Sequence, residues 1–215
     1  VIDSFSMNRK KEEPEDVARV LQSYCHGIMV RTHQHSLVER MAAKLRIPLI
    51  NGLTDTHHPC QILADLLTLK QTFNQLRGLK LAYVGDGNNI LHSLLLLAPP
   101  LGIDLSYACP RGYEPNALVL KQARAAAHPE GGKITAHRTP LAAAKGADGI
   151  YTDVWTSMGF EAEERQREEA FRGFQVNDAL YSQAAKDAVL MHCLPMERGK
   201  EITDAMAEHP NSVIF

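Results

Sequence analysis

Four short clusters in this chain carry side chains that can do chemistry, and each follows an apolar run. His192-Cys193-Leu194-Pro195 comes directly after Ala188-Val189-Leu190-Met191. Arg31 follows Ile28-Met29-Val30, Gly85-Asp86-Gly87-Asn88-Asn89 follows Leu81-Ala82-Tyr83-Val84, and Asp153 closes the run that holds Ile150-Tyr151. A fifth cluster, His57-His58-Pro59-Cys60-Gln61, opens a leucine-rich stretch. Short apolar runs read as buried strands, and open α/β sheets bind ligands beyond the carboxyl ends of their strands. The repetition therefore predicts one site assembled from several strand ends.

Each cluster has a chemical reading and a plainer one. Asp153 at a strand end can hold an ammonium group. A turn around a buried Trp155 accounts for the tryptophan but not for the carboxylate. Ser157-Met158-Gly159 reads as a loop able to close over a ligand. Cys193 can act as a covalent nucleophile, can share an amine with Asp153, or can be an inert buried thiol, the usual state of free cysteine. His192 precedes it on a strand, so the two side chains point to opposite faces, which argues against a Cys–His pair. His58 and Gln61 lie three apart at a helix start, where backbone N–H groups favour an anion or a polarised carbonyl. His58 can donate to such an oxygen and Gln61 can orient an attached amide; the alternative is a polar helix cap. Arg31 suits a phosphate or a carbonyl. No zinc-like spacing is present, and His33-Gln34-His35 offers the only nearby extra ligands, so no metal is expected.

The glycine turn invites a dinucleotide reading, but Ile90 stands where a third glycine is expected. The acidic residue expected about 20 positions later is also missing. Its two asparagines can instead offer amides to a small zwitterion, or Asn88 can simply cap the following helix. His92, one turn after Asn88, is the remaining histidine of interest. His26, His128 and His137 read as ordinary surface or helix residues.

These clusters need a scaffold, and the chain supplies one. Its 215 residues are 45% hydrophobic and 22% charged, with net charge -2, enough for one large or two small domains. No basic run exceeds Arg9-Lys10-Lys11, which makes nucleic acid a poor partner. No apolar stretch reaches the roughly 18 residues of a membrane helix, and no secretory signal opens the chain. The four cysteines are far apart, which reads as reduced thiols in a cytosol-like compartment.

Strand and helix signals alternate throughout, predicting βαβ units and a parallel sheet. Helices are predicted around Pro14 to Tyr24, after a capping box at Ser36 and Glu39, and at 62–73 with Leu63, Leu66, Leu67 and Leu69 on the apolar side. Strands are predicted at 27–30 and 48–50. The loop Gln75-Leu76-Arg77-Gly78 looks like a boundary. Beyond it come strands at 79–84, 104–108, near Ile134, 149–152 and 188–191. Helices are predicted near 89–97, at 115–127 and at 161–171, with Leu97-Ala98-Pro99-Pro100 ending the first of these early. Residues up to about 55 hold too few strands for a usual domain of ~100 residues. The strand-like end Ser212-Val213-Ile214-Phe215 has nothing after it to cover it. Material is therefore expected beyond both ends.

Taken together, the chain resembles the carbamoyltransferases, and among them the ornithine carbamoyltransferases, over nearly its whole length. The matching stretches are Met29-Val30-Arg31-Thr32, Asn51-Gly52-Leu53-Thr54-Asp55, His58-Pro59-Cys60-Gln61 with Ile62-Leu63-Ala64-Asp65, Gly85-Asp86-Gly87-Asn88-Asn89, Asp153 with Ser157-Met158-Gly159, and His192-Cys193-Leu194-Pro195. Aspartate carbamoyltransferases usually carry H-P-L-P in place of the last of these. The resemblance implies an α/β protein of two doubly wound parallel-sheet lobes. The first lobe is incomplete here and the second is Rossmann-like. Residues 1–66 would form part of a carbamoyl-phosphate-binding domain with the start of the interdomain helix, and 67–215 an ornithine-binding domain.

The implied reaction turns carbamoyl phosphate and L-ornithine into L-citrulline and phosphate, either towards arginine or in the reverse, catabolic direction. By motif, Arg31, His58 and Gln61 would bind the carbamoyl group, with Cys193 and the Leu194 carbonyl beside it. Asn89, Asp153, Ser157 and Met158 would bind ornithine. Asp153, Cys193, Arg31 and His58 would carry the catalysis. The resemblance further implies no metal or organic cofactor, a homotrimer or multiple of trimers, and a cytoplasmic site, or the mitochondrial matrix in a eukaryote. Two departures stand out. The family's S-x-R-T-R phosphate motif is absent, and so are the basic motif and helix that follow the position of Phe215. Three alternatives remain open: a carbamoyltransferase for another amine such as putrescine, a non-catalytic ornithine-binding module, and a nicotinamide-binding domain.

Overall fold

The computed structural model describes residues 12–128, 131–156 and 161–215. The chain divides into two compact units, Val1–Cys60 and Gln61–Phe215.

In the first unit, α1 (Pro14–Leu21), β1 (Ile28–Arg31), α2 (His35–Ala42) and β2 (Leu49–Leu53) follow one another. Pro14 occupies the first turn of α1, where its missing N–H costs nothing. β1 and β2 form a two-stranded parallel sheet whose register shifts between Val30 and Arg31. Alternation leaves Met29 and Ile50 exposed, at 63% and 52%. Ala18, Val38 and Met41 are buried, and Arg40 of α2 pairs with Glu13 and Glu15. The Ser36–Glu39 capping box does not form. The helix starts at His35 with Gln34 as its cap residue, because Asp55 accepts the His35 backbone N–H and Thr54 meets its ring, which places the first turn one residue earlier.

Helix α3 (Pro59–Phe73) begins in the first unit and runs on in the second. Its buried face is Ile62, Asp65, Leu66 and Leu69. Leu63 and Leu67, expected on the apolar side, are exposed. A 3.6-residue repeat keeps 62, 66 and 69 on one stripe and turns 63 and 67 away from it.

The second unit continues with β3 (Lys80–Val84), α4 (Asn89–Leu97), β4 (Asp104–Ala108), α5 (Ala117–Ala126), β5 (Ile134–His137), α6 (Pro140–Ala144), β6 (Gly149–Thr152), α7 (Glu164–Phe171), α8 (Asp178–Tyr181), β7 (Val189–His192) and α9 (Asp204–Ala207). The five strands are all parallel, in the order β5-β4-β3-β6-β7. Alternate residues of each strand feed two cores, one on each sheet face. Leu81, Tyr83, Tyr151, Val189 and Met191 pack with α3 and α4, while Ala82, Val84, Ile150 and Leu190 pack with α6, α8 and α9. A parallel sheet covered on both faces explains why these strands read as continuous apolar runs rather than alternating ones. The short helices α6, α8 and α9 carry too few residues to show a period, and sequence reading missed them.

The double proline ends α4 at Leu97, as expected, and forms a single 3-10 turn, Pro99–Leu101, directly after it. The end of the chain is not an uncovered strand. Ser212 bridges Leu190, and Ile214 is buried in the second core, although Phe215 is exposed.

Candidate active site

Strand order reverses between β3 and β6, so the first connections leaving these neighbours run to opposite faces of the sheet. A crevice is expected at their carboxyl ends. The polar clusters of the second unit meet there. Asp153 follows β6 and is only 6% exposed. Its Oδ2 accepts from Asn88 Nδ2 at 2.7 Å, after β3. Its Oδ1 accepts from the Cys193 thiol at 2.9 Å, after β7, and from the Val154 N–H at 2.8 Å. Three adjacent strand ends thus converge on one buried carboxylate.

Asn88 caps the helix, and its amide goes to the protein's own Asp153. Its Oδ1 caps α4 by accepting from the Ile90 and Leu91 N–H groups, while its amide nitrogen reaches Asp153. Sequence reasoning assigned the ligand role to Asn89, which lies one residue on as the first residue of α4. The structure adds Asn88 to the cluster, because a capping side chain bends back over the turn towards the neighbouring strand end. Ser157 and Met158 lie outside the described residues.

The glycine turn is closed by the protein itself. A Cβ on Gly87 would sit 2.4 Å from the backbone of Glu114 and Pro115, and the Gly87 N–H donates to the Tyr113 carbonyl at 2.8 Å. In a dinucleotide fold the second glycine leaves room for a pyrophosphate. Here the 113–115 loop takes that approach, and the nicotinamide alternative loses its support. Asp86 faces away into a buried ion pair with Arg167 at 2.8 Å. Burial raises its pKa, and Arg167 opposes that rise. His92 is structural: its Nε2 accepts the Asn116 N–H at 2.9 Å, at the cap of α5.

Burial, reinforced by the negative charge of Asp153, pushes the Cys193 thiol far above the ordinary range. The nucleophile of cysteine chemistry is the thiolate, so this site disfavours the covalent reading and presents a neutral S–H beside a carboxylate. The His192 ring makes its hydrogen bonds elsewhere. Its Nε2 meets Glu201 Oε1 at 3.1 Å and its Nδ1 accepts the Leu194 N–H at 2.9 Å. Asp153, His192 and Cys193 each offer a ligand atom within 4.8 Å of the others, but both imidazole nitrogens are already committed, so a metal ion would have to displace existing bonds. Leu194 has φ +53, a left-handed conformation costing an ordinary residue about 1–2 kcal/mol. The peptide bond after it is cis.

A second carboxylate belongs to the same unit. Asp65 of α3 accepts from the Tyr151 hydroxyl at 2.8 Å and from Gln61 Nε2 at 3.1 Å. Burial pushes its pKa up to about 6 against these two bonds. Gln61 gives one amide N–H to Asp65, which fixes its orientation and leaves its carbonyl oxygen and second N–H to meet a ligand. A charged residue in the middle of a leucine-rich helix, four places after Gln61, was the signal that sequence reading passed over.

In the first unit, Arg31 ends β1 and is exposed. His58 immediately precedes α3 and is half-buried. The turn before it is tied by Thr54, whose N–H donates to the His57 carbonyl at 2.8 Å and whose hydroxyl accepts the His57 N–H at 3.0 Å.

Fold and cluster together define a Rossmann-like α/β protein with an acid–thiol–amide site at its topological switch point. Comparison with known proteins agrees. Residues 77–215 match the family model for the Asp/Orn binding domain of aspartate/ornithine carbamoyltransferase, and residues 2–71 match the carbamoyl-P binding domain. The chain belongs to the aspartate/ornithine carbamoyltransferase family. It is 50% identical over 204 residues to an ornithine carbamoyltransferase of Methanosarcina acetivorans, covering 95% of this chain and 66% of that protein. It is 49% identical over 200 residues to one of Anoxybacillus flavithermus, covering 93% and 64%. The solved ornithine carbamoyltransferase of Pyrococcus furiosus superposes with a TM-score of 0.91 at 47% identity, over 96% of this chain and 66% of that one. The chain thus spans just under two thirds of the length of the curated relatives it matches. Among the described residues no helix is long and apolar enough to cross a membrane.

Proposed function

We propose that this protein transfers the carbamoyl group of carbamoyl phosphate to the side-chain amine of L-ornithine, giving L-citrulline and phosphate. The observation that carries this reading is the buried Asp153, held between Asn88 and Cys193 at the switch point. A carboxylate in that position is suited to a cationic amine. The relatives' printed names and the ornithine-binding family model support the choice of amine.

The chemistry follows from the groups present. The ornithine side-chain amine, like that of lysine, is mostly protonated at neutral pH, and only its neutral form attacks. Asp153 draws the ammonium in, and the neutral Cys193 thiol lets the nitrogen approach without a second charge. The nitrogen then bonds to the carbamoyl carbon, and the bond from that carbon to the phosphate-bearing oxygen breaks with its electron pair leaving on phosphate. Two protons leave the nitrogen overall. One ends on the released phosphate and the other passes to solvent, with Asp153 as the nearest acceptor. Negative charge grows on the carbamoyl oxygen as the bond forms, which is where donors such as Arg31 and His58 act. The Gln61 carbonyl receives the carbamoyl NH2, its side chain being oriented by the bond from its amide nitrogen to Asp65. Leu194 offers its backbone carbonyl to the reacting amines, while Asn89, Ser157 and Met158 complete the ornithine site. Within this reading residues 1–66 serve carbamoyl phosphate and 67–215 ornithine. The protein acts as a trimer or multiple of trimers in the cytoplasm or mitochondrial matrix, without metal or organic cofactor.

The test is product analysis. The protein given carbamoyl phosphate and L-ornithine is expected to release phosphate and citrulline in equal amounts. Carbamoylputrescine formed faster from putrescine would reassign the amine. Ornithine binding without turnover would make this a binding module.

A further inference from the structure

We propose that Glu201 is a positioning residue for this site: through His192 it sets the backbone of Cys193-Leu194-Pro195, and so the thiol and carbonyl that face the substrates. The proposal rests on the carbamoyl-transfer reading for its effect on rate, but its geometry stands alone. Glu201 is fully buried, and the His192 ring beside it has no exposed side-chain surface. Glu201 Oε1 accepts from the Glu197 N–H at 2.6 Å and meets His192 Nε2 at 3.1 Å. On the other side of the ring the Leu194 N–H donates to Nδ1 at 2.9 Å.

These contacts leave one consistent proton arrangement. A nitrogen that accepts an N–H cannot carry a hydrogen of its own, so Nδ1 is bare and the proton is on Nε2, where only an acceptor fits. Glu201 is that acceptor. With it gone, the Nε2 proton is left buried without its acceptor and only the Leu194 N–H still favours that tautomer. The tautomer protonated at Nδ1 would point its N–H at the Leu194 N–H, donor against donor. Leu194 has most to lose, because its left-handed φ of +53 is a conformation a leucine keeps only when its surroundings hold it. Release of Leu194 moves the neighbouring Cys193, whose thiol reaches Asp153. Glu201 touches neither substrate and acts only through the ring.

A second feature points the same way. Glu201 Oε2 is buried with no hydrogen-bond partner among the described residues. Burying a carboxylate with one oxygen unmet is unfavourable, so Oε1 and its two contacts must offset it. This geometry also supplies the discriminating variant. In Glu201→Gln the carbonyl can keep both Oε1 contacts, and the amide nitrogen takes the unpartnered place.

The experiment combines nitrogen-15 NMR of labelled histidine with steady-state kinetics on the wild type, Glu201→Gln and Glu201→Ala. His192 in the wild type is expected to show a bare Nδ1 and a protonated Nε2. Glu201→Gln should keep that signature and stay within threefold of wild-type kcat. Glu201→Ala should give mixed tautomers and lose tenfold or more in kcat. In a His192→Asn background, whose side-chain oxygen can accept the Leu194 N–H without help, Glu201→Ala should add less than twofold. A protonated Nδ1 in the wild type, an unchanged tautomer in Glu201→Ala, or an equal loss in both backgrounds would overturn the proposal. If Glu201→Ala does not fold, the wild-type and Glu201→Gln signatures decide it. If the wild type makes no citrulline, the carbamoyl-transfer reading fails, while the NMR arm still tests whether Glu201 sets the tautomer.

Discussion

The two units of this protein present their strand-end polar residues differently. In the second, Asp153, Asn88, Cys193, Asp65 and His192 are buried or half-buried, and their polar atoms are held by named partners at 2.7–3.1 Å. In the first, Arg31 stands exposed at the end of a two-stranded sheet whose Met29 and Ile50 also face outward. The contrast reflects scaffolding. A sheet of five parallel strands covered on both faces can hold side chains in fixed geometry, and such preorganisation is what makes electrostatic stabilisation effective. The second unit therefore carries a prebuilt cluster, whereas Arg31 of the first stands on a two-stranded sheet.

The sharpest way to break that comparison is to remove the group on which the second unit converges. Asp153→Asn keeps the size and the hydrogen-bonding reach, so thermal stability should stay within a few degrees. Turnover with ornithine should fall about a thousandfold, the scale of losing a buried charge from a charged pair. Activity within tenfold of wild type would remove Asp153 from the proposed role.

Rigidity can be compared directly through two glycines. The Cβ of Gly87→Ala would meet backbone at 2.4 Å, which cannot swing aside, so a loss of about 2–3 kcal/mol in chemical denaturation is expected. The Cβ of Gly52→Ala in the first unit would meet the sulfur of exposed Met29 at 2.6 Å. That side chain can move away, and the change should stay within about 1 kcal/mol. Equal costs would mean that the first unit is as rigid as the second.

Cys193→Ser is a smaller change. Serine is a shorter, stronger donor to Asp153 and competes better with an incoming ammonium. KM for ornithine should rise about tenfold, on the order of one weakened hydrogen bond to a charged group, with KM for carbamoyl phosphate changing less. An unchanged ornithine KM would count against the thiol's part in the site.

The mildest effect is expected from Asp65→Asn, read through pH. Asp65 titrates at about 6 in the folded protein, above an ordinary carboxylate, so the fold holds this proton more tightly than the unfolded chain. Its contribution to stability is full below about pH 4 and is lost as pH rises through about 6. The stability of the wild type relative to Asp65→Asn should therefore fall across that window. A difference independent of pH would show that Asp65 has no raised pKa.

Much of this was written along the chain. The ends of α4 were legible because its leucine-rich run lies between the capping Asn88 and the double proline at 99–100. The meeting of Asp153 and Cys193 was also legible, since both follow strands and a parallel sheet gathers its carboxyl ends on one edge. The faces of α3 were misread because its leucines fill more than one stripe, and only packing chooses which stripe is buried. The capping box at Ser36 failed because Asp55 and Thr54, some twenty residues away, hold His35.

What the sequence determined by itself is therefore the inventory: the βαβ alternation, the residue types at each strand end, and the family to which they belong. Only the tertiary structure decided the partners. It turned Asn88 towards Asp153, filled the space beside Gly87 with the protein's own loop, and set Asp65 against Gln61 and Glu201 behind His192. The physical reason is that local propensity and spacing follow from neighbours in the chain. Which buried polar atoms meet depends on how distant strands and helices pack, and a buried donor or acceptor must find its partner there.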